Sequence, residues 1–286
     1  MNDKFLHSNK LESENSGFFA GGKFAWEKSK ENIWDENFSD IDSPAKGKSI
    51  SLLRKISYGI AASFILLIGL SSVAWFLSER VATNAGEHFT AQLPDGSVVE
   101  MNAESTLKFY PYRWYVSRNL EFEGEGFFNV EKGKKFVVKS ALGKTSVLGT
   151  SFNVFSRDDI YKVACVTGKV RVIASNKESV ILNPNQQVVL KLGDELIKNE
   201  VLKPEEVLLW RNNMFLFNAT PLSDVAREIE RQYGVTIQID ENIKRDFTGI
   251  FNRQSNVEEV LEYICKPLNY NFIKQNENNY LIVRKN

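Results

Sequence analysis

YGIAASFILLIGLSSVAWFL, residues 58–77, is the stretch around which the chain is organised. It carries no charged side chain, and Tyr58 and Trp75 stand near its ends, where aromatic residues favour membrane interfaces. A helix of about twenty residues spans about 30 Å, the hydrocarbon thickness of a bilayer, and pairs its own backbone groups there. We therefore predict a transmembrane helix at residues 56–78. A buried core helix of a soluble domain is the alternative, but such helices are usually shorter or carry a polar stripe.

The charges that flank this run predict its direction. The basic residues before it are Lys46, Lys48, Arg54 and Lys55. After it Glu79, Arg80 and Glu87 show no such basic excess. Because positively charged flanks stay in the cytoplasm, we predict that the N-terminal side lies inside and the C-terminal side outside. The run starts too late and is too long for a cleaved signal peptide.

The composition argues against nucleic-acid binding and metal binding. The 36 basic and 36 acidic residues give a formal net charge of zero, whereas binding to phosphates favours a basic excess. Cys165 and Cys265 both fall on the outer side, where we expect two buried thiols, with a disulfide as the alternative. His7 and His88 have no Cys or His at metal-ligand spacing. We therefore predict no metal and no cofactor.

Residues 1–55 form a short polar segment on the inner side. Its apolar side chains recur at roughly helical spacing: Trp26, Ile33, Trp34, Phe38 and Ile41. Within residues 26–42 six acidic residues outnumber the two basic ones, Lys28 and Lys30, which disfavours binding to an anionic lipid surface. Because one helix cannot bury such a stripe by itself, we predict that it orders in the groove of a partner protein. A disordered tail with incidental aromatic residues is the alternative.

Residues 86–192 show the two-residue period of β-strands. A hairpin is predicted around the turn Pro94-Asp95-Gly96, because Pro fixes φ, Asp caps the turn and Gly adopts positive φ. Further strands are predicted at 106–110, 119–123, 126–130, 136–140, 145–147, 151–156, 160–167, 170–174, 180–182 and 187–192. The pattern predicts an all-β region, built as a sandwich or as a stacked, solenoid-like sheet.

Residues 211–286 contain an internal repeat. The apolar face of Leu222, Val225, Ala226, Ile229 and Tyr233 recurs 35 positions later as Val257, Val260, Leu261, Ile264 and Leu268. We expect Gly234 to end the first helix, Ser255 and Glu258 to form a capping box, and Pro267 to stop the second helix. With strands around each helix, the pattern predicts a small α+β region of two βαβ units and one terminal strand.

The chain contains no recognised catalytic motif. There is no G-x-S-x-G, H-E-x-x-H, P-loop or dinucleotide fingerprint. We therefore predict a binding and signalling protein rather than an enzyme.

Several motifs resemble those of FecR-type anti-sigma factors. They are LPDGS (93–97), MNAEST (101–106), Arg118 followed by GEGFFNV (124–130), FVV (136–138), VLGTSFNV (147–154), GKVRV (168–172) and NPNQQ (183–187). The C-terminal stretches FLFNATPLSDVAREIERQYGV and FTGIFNRQSNVEEVLEYIC are similar to the family's last module, which is related to the secretin/TonB short N-terminal domain. Gly126 departs from the family pattern, which usually has Ala there, and we expect it to loosen one packing site.

The resemblance implies a function. The inner segment would hold an extracytoplasmic-function sigma factor at the inner membrane, with Trp26, Ile33, Trp34 and Phe38 as its expected contacts. The outer half would receive the signalling domain of an outer-membrane TonB-dependent transducer. A membrane protease is a further expected partner, and we expect cleavage to start at residues 78–86, which lack strong secondary-structure signals.

The family-motif residues are expected to maintain the fold rather than to contact a ligand. They are Pro94, Asp95, Gly96, Asn102, Arg118, Gly124, Glu125, Gly149, Thr150, Phe152 and Asn153. Among them we expect Arg118 to pair with Glu125, Gly149-Thr150 to form a bulge or tight corner, and the two Asn side chains to satisfy buried backbone groups.

Two other functions remain open. The first is a membrane-anchored glycan-binding protein, for which the cluster YPYRWY (110–115) would supply the aromatic platform. The second is a subunit of a secretion or transport assembly, suggested by the C-terminal module alone.

Overall fold

The computed structural model describes residues 29–38, 49–191, 197–200, 204–253 and 256–285. The chain forms two compact units, Met1–Leu66 and Leu67–Asn286. The helices before the strands are α1, Lys30–Phe38, and α2, Ser49–Phe76. The described part of the predicted inner stripe is therefore helical, whereas Trp26 and Ile41 lie outside the described residues.

Helix α2 is the predicted transmembrane helix. Its residues Leu52–Phe76, 25 in all, are long and apolar enough to cross a membrane. The hydroxyl groups of Ser63, Ser71 and Ser72 donate to carbonyl oxygens one turn earlier, which satisfies them within the helix. In the part of the chain that the structure describes, this is the one candidate span, in agreement with the prediction. The helix begins before residue 56 and ends at Phe76, because a strand starts at Glu79.

The region that follows is built from strands. Those that the structure describes are β1 Glu79–Ala82, β2 Phe89–Gln92, β3 Val98–Met101, β4 Thr106–Phe109, β5 Arg118–Asn129, β6 Phe136–Lys139, β7 Gly143–Val147, β8 Ser151–Arg157, β9 Ile160–Cys165, β10 Val170–Ala174, β11 Ser179–Leu182, β12 Gln186–Lys191 and β13 Ile197–Glu200. The predicted all-β region and its hairpin around Pro94-Asp95-Gly96 are confirmed.

Strand β5 joins two sheets. Its first half pairs with β4 and β6, and its second half pairs with β3 and β8. The two separate strands predicted at 119–123 and 126–130 are therefore one strand that changes sheets near Gly124. One sheet has the order β1-β4-β5-β6-β7-β10-β11, and the other has the order β2-β3-β5-β8-β9-β12-β13.

The two sheets enclose one hydrophobic core. Leu120, Val138 and Val172 from the first sheet and Phe128 and Val163 from the second belong to the same buried cluster. Shared burial of this kind is how two sheets stabilise each other. Of the two predicted arrangements, the sandwich is the one observed.

The segment after the membrane helix is ordered into the sandwich. Strand β1 pairs antiparallel with β4, with Val81 opposite Leu107. The hydroxyl of Thr83, which is buried, donates to the carbonyl oxygen of Asn102 at 2.7 Å. The segment 78–86, where we expect cleavage to start, therefore contains a paired strand at Glu79–Ala82, because the alternation in ERVA is too short to give a strong signal in the sequence.

The C-terminal region is a small α+β unit, as predicted. A 3-10 helix, Pro204–Asn212, precedes β14 Met214–Pro221, α3 Leu222–Tyr233, β15 Thr236–Ile239, β16 Asp246–Asn252, α4 Val257–Leu268, β17 Tyr270–Lys274 and β18 Asn279–Arg284. The predicted order of elements, two βαβ units followed by one terminal strand, is confirmed, whereas the pairing of the strands was not predicted. Strand β14 pairs with β16, whereas β15 and β17 both pair with β18, so the strands flanking each helix lie in different sheets.

The helix ends differ in detail from prediction. Gly234 ends α3 in the left-handed conformation, as predicted. The N-cap of α4 is Asn256, whose side chain accepts a hydrogen bond from the Glu259 N–H at 2.9 Å, one residue after the predicted Ser255. Pro267 lies within the last turn and does not stop the helix, which ends at Leu268 with Asn269 as its C-cap, because Asn tolerates the left-handed conformation.

Candidate functional site

Helix α1 carries three of the four residues predicted to contact a partner. The side chains of Trp34 and Phe38 are 63% and 40% exposed, and Ile33 is half-buried. The Trp34 and Phe38 rings lie one turn apart with centroids separated by 4.6 Å. A nine-residue helix cannot bury this face by itself, and the aromatic pair is exposed.

The turn between β2 and β3 is held by a buried ion pair. Asp95 caps the turn by accepting hydrogen bonds from the N–H and hydroxyl of Ser97, and Gly96 has φ +85°. Arg118 donates to the Asp95 carboxylate at 2.6 Å and to the carbonyl oxygen of Glu131 at 3.0 Å. Burial opposes ionisation of Asp95, but the hydrogen bond from Arg118 holds its pKa below the usual range. The expected pairing of Arg118 with Glu125 is therefore wrong.

Gly124 allows a loop to approach β5 closely. Its φ is +110°, and a Cβ atom there would lie 2.6 Å from the Ser105 Cα. The Ser105 hydroxyl lies 3.1 Å from both the N–H and the carbonyl oxygen of Glu125. The expectation that Gly126 loosens the packing is wrong. The Phe122 ring fills the space that an alanine methyl group would occupy at position 126.

Glu125 is the centre of a buried polar cluster. Its two carboxylate oxygens accept hydrogen bonds from the side-chain amides of Asn102, at 2.9 Å, and Asn153, at 3.1 Å. The Asn102 oxygen accepts from the backbone N–H of Ala103 at 2.8 Å. Both amide groups thus point their N–H atoms at Glu125. The cluster brings together three of the sequence-predicted residues, from β5, β8 and the loop after β3.

The C-terminal region attaches to the sandwich at this cluster. Gln232 on α3 donates to the Asn102 side-chain oxygen at 2.8 Å. Trp210, in the 3-10 helix, donates its indole N–H to the Asn153 side-chain oxygen at 3.3 Å. His88 bonds to the Gln232 oxygen at 3.2 Å and lies edge-on to the Trp210 ring. Each Asn therefore links the sandwich carboxylate to one element of the C-terminal region.

Charged groups surround the cluster and join the same two regions. Arg211 forms a two-point contact with the Glu100 carboxylate, with N–O distances of 2.8 and 2.5 Å. Arg231 on α3 pairs with Asp158, at the turn between β8 and β9. Arg253 donates to the carbonyl oxygen of Gly86 at 3.2 Å. The interface is thus mainly polar, which is typical of contacts between domains that move relative to one another.

Burial shifts the ionisation of three groups at the interface. Burial and the nearby Glu228 raise the pKa of Glu125, against the opposing effect of Arg157 and the two Asn amides. Burial lowers the pKa of Arg157, whose Nε and Nη1 atoms have no hydrogen-bond partner among the described residues. Burial, with the charge of Arg253, lowers the pKa of His88. Interface stability therefore responds to the protonation of these groups.

The remaining family-motif residues serve the sandwich. Gly149 has φ +154° and lies against Lys132, where a Cβ atom would be 2.8 Å from the Lys132 Cα. Thr150 exchanges backbone hydrogen bonds with Val130, which extends the pairing of β5 with β8 by one residue, and the predicted corner is the bend at Leu148 and Gly149 before β8. Phe152 is fully buried and stacks on Phe128 with ring centroids 5.1 Å apart.

The two cysteines are free and buried, as predicted. Burial raises the pKa of Cys165 to about 11 and that of Cys265 to about 12. Neither thiol is ionised near neutral pH, so neither has the character of a reactive cysteine.

The structure disfavours the aromatic platform that a glycan-binding protein would need. Trp114 is 1% exposed and lies between the rings of Phe109 and Phe136, edge-on to both. Tyr112 and Tyr115 point outward, but without Trp114 the cluster lacks its largest ring.

Sequence reasoning missed the C-terminal half of the interface. Trp210 lies outside the quoted motifs, Arg231 and Gln232 lie in the C-terminal stretch without an assigned role, and each of the three is more than fifty positions from its partner. The one indication in the sequence was the position of Gln232, a polar residue three positions after Ile229 on the apolar side of the amphipathic helix α3.

Comparisons with known proteins agree on one family. The family described as FecR protein matches residues 79–171, and the family described as FecR, C-terminal, matches residues 214–283, so together they cover more than half of the chain. Two crystal structures of a candidate anti-sigma factor from Parabacteroides distasonis ATCC 8503 are similar, each with 29% sequence identity and a TM-score of 0.65. Each match covers 73% of this chain and 100% of the other chain. No curated protein matches this chain.

Proposed function

The chain belongs to the FecR family of anti-sigma factors, and we propose that it holds an extracytoplasmic-function sigma factor at the inner membrane through residues 1–55. The family is regulatory rather than enzymatic. Helix α2 makes the chain a single-pass membrane protein. The basic residues before the apolar run 58–77 support an orientation with the N-terminus in the cytoplasm and the C-terminus in the periplasm.

The exposed aromatic pair on α1 carries the sigma-factor proposal. Trp34 and Phe38 form one apolar face on a short helix, with Ile33 beside them. Apolar anchors at this spacing are what a helix presents when it lies in a partner's groove. Trp26, seven positions before Ile33, is a further contact in this proposal.

The periplasmic partner in this proposal is the signalling domain of an outer-membrane TonB-dependent transducer. In the described part of the chain, β14 and β16 form a two-stranded sheet, which leaves a strand edge on each side. Leu216 and Ile250, opposite each other in that sheet, are both exposed. Strand edges beside apolar side chains favour recognition of a partner by strand addition.

The cluster around Glu125 supports a route by which binding of a partner to the C-terminal region could affect the membrane helix. The C-terminal region is either attached to the sandwich or released from it, and a bound partner shifts this equilibrium only if it binds one of the two states more tightly. That contact includes Asn102, whose carbonyl oxygen holds Thr83, directly after β1. Strand β1 begins three residues after the end of α2. Loss of this contact would therefore affect residues that lie close in sequence to the end of the membrane helix.

Regulated proteolysis near the membrane would need a prior opening step. Because β1 is hydrogen-bonded to β4, a membrane protease would reach residues 78–86 only after β1 leaves the sheet. Release of the C-terminal region from Asn102 is a change that would weaken this end of β1.

Affinity capture from the native host tests the sigma-factor proposal. The tagged full-length chain, solubilised from membranes, is compared with a Trp34→Ala variant and with Asn32→Ala, an exposed control on the same helix. We expect mass spectrometry to find an extracytoplasmic-function sigma factor with the wild type and the control, and several-fold less with Trp34→Ala. Capture of no sigma factor by the intact wild-type chain would overturn the proposal.

A further inference from the structure

One exposed apolar face lies where the sandwich meets the end of the membrane helix. Residues 111–117 form a helical turn, in which the N–H groups of Trp114 and Val116 donate to the carbonyl oxygens three residues earlier. Tyr112, Tyr115 and Val116, spaced as i, i+3 and i+4, share its outer side and are 60%, 75% and 68% exposed. Trp114 points to the opposite side, into the core. We call residues 110–117 the foot of the sandwich.

The foot is fixed to the last turn of α2. The Arg113 Nε donates to the Trp75 carbonyl oxygen at 2.6 Å. The Arg113 guanidinium also lies over the rings of Phe76 and Tyr110, with its central carbon 4.8 and 4.5 Å from their centroids. These contacts satisfy a helix-end carbonyl with a cation, which complements the negative end of the helix dipole.

The position of α2 therefore fixes the position of the foot. The apolar run ends at Leu77, and Glu79 and Arg80 follow it, so Trp75 and Phe76 mark the boundary between hydrocarbon and headgroups. A segment in direct contact with Trp75 and Phe76 lies at that boundary. Its tyrosines are the residue type that favours this layer, since the ring is apolar and the hydroxyl is polar.

Charge at the foot matches phospholipid headgroups. Arg113 lies on the foot itself, and the Lys134 ammonium group donates to the carbonyl oxygen of Tyr115 at 3.3 Å. A cleft of about 230 Å³ beside the foot is lined by Trp75, Lys108, Arg113 and Lys139, with Glu121 as its acidic residue. Basic side chains and tyrosines around a membrane helix are the usual interfacial anchors.

We propose that the foot docks on the bilayer surface, with Tyr112, Tyr115 and Val116 inserted among the phospholipid headgroups. The inference rests on α2 spanning the membrane and is independent of the sigma factor and of the transducer. Docking restricts the motion of the sandwich relative to the membrane. A movement of the C-terminal region then changes its contact with the sandwich instead of moving both regions together.

Depth-dependent fluorescence quenching tests this proposal. The full-length chain, with Tyr115→Cys labelled by an environment-sensitive fluorophore, is placed in phospholipid nanodiscs that contain headgroup-proximal spin-labelled lipid. Ile250→Cys, on β16 and 57% exposed, is the matched control. The buried Cys165 and Cys265 have raised pKa values, which keeps labelling selective for the new thiol.

We expect quenching of the label at position 115 to be several-fold stronger than at position 250. Adding Tyr112→Ser and Val116→Ser to the labelled chain is expected to reduce the difference, because both side chains are exposed and their loss leaves the core intact. Equal quenching at the two positions, or strong quenching of the label at 115 by aqueous iodide in the nanodisc, would overturn the proposal.

Discussion

Gln232 on helix α3 donates a hydrogen bond of 2.8 Å to the side chain of Asn102, which lies 130 positions earlier in the chain. Asn102 is bound in turn to the buried carboxylate of Glu125, and its backbone carbonyl oxygen accepts the hydroxyl of Thr83. One side chain of the C-terminal region thus contacts the site where the sandwich begins after the membrane helix. In a chain that regulates transcription across a membrane, this is the contact we expect a signal to alter.

Removal of the Gln232 side chain should weaken the attachment of the C-terminal region. In Gln232→Ala, the buried Asn102 oxygen and the exposed His88 ring each lose a partner, and we expect the free energy of unfolding of that region to fall by about 1–3 kcal/mol, mainly through Asn102. Denaturant titration of the full-length chain, followed by tryptophan fluorescence, measures it. Gln238→Ala, an exposed control on β15, should change it by less than about 0.5 kcal/mol. Equal effects of the two variants would contradict the role given to Gln232.

Even an isosteric substitution of Glu125 should destabilise the protein. Because the oxygens of Asn102 and Asn153 are held by Ala103 and Trp210, both amides must present N–H groups to Glu125. Glu125→Gln puts an NH₂ group against one of them, and we expect a loss of about 1–3 kcal/mol in the free energy of unfolding.

The matched control for Glu125 lies on the same strand. Glu123 is exposed two residues earlier in β5, so Glu123→Gln should be nearly neutral in the same denaturant titration. A Glu125→Gln chain as stable as the wild type would show that the amides reorient freely.

Acidification should loosen the interface through His88. Burial lowers the pKa of His88 from 6.5, with a further contribution from Arg253, while Gln232 and Glu228 oppose the shift. The unfolded chain therefore binds the proton more readily, and the stabilisation is complete above about pH 6.5 and lost as the pH falls through the lower folded pKa.

The measurement is the slope of stability against pH. Between about pH 7 and 5 the free energy of unfolding should fall more steeply in the wild type than in His88→Gln, by a modest margin because His88 is exposed and solvent screens its charge. Identical slopes would exclude His88 as the titrating group.

The two ends of the chain should be reactive on opposite sides of the membrane. In cells whose outer membrane has been made permeable, a membrane-impermeant maleimide should label Ile250→Cys and leave Asn32→Cys unmodified. After lysis both positions should react, since both are exposed. Labelling of Asn32→Cys in unbroken cells would reverse the orientation that the basic flank predicts.

Local patterns predicted the elements that form from local interactions. The apolar spacing of Leu222, Val225 and Ile229 sufficed for α3, and the left-handed conformation of Gly234 ends that helix. The Pro94-Asp95-Gly96 turn was predicted because each residue has a conformational reason to be there.

Strand pairing and contacts between residues far apart in the sequence could not be predicted from local patterns. Gly124 and Gly126 interrupt the alternation of β5, so one strand looked like two, although the interruption is where the strand passes between sheets. Residues such as Glu125 and Gln232 have side chains that usually lie in water, and only the assembled fold shows that they are buried together.

Photo-crosslinking from position 34 in living cells tests the sigma-factor claim most directly. A photoreactive phenylalanine derivative replaces Trp34 in the full-length chain, and the same derivative at position 250 serves as the control. We expect irradiation to join position 34, and not position 250, to an extracytoplasmic-function sigma factor identified by mass spectrometry. Crosslinks from position 34 that reach only lipid or unrelated proteins would contradict the claim that α1 holds a sigma factor.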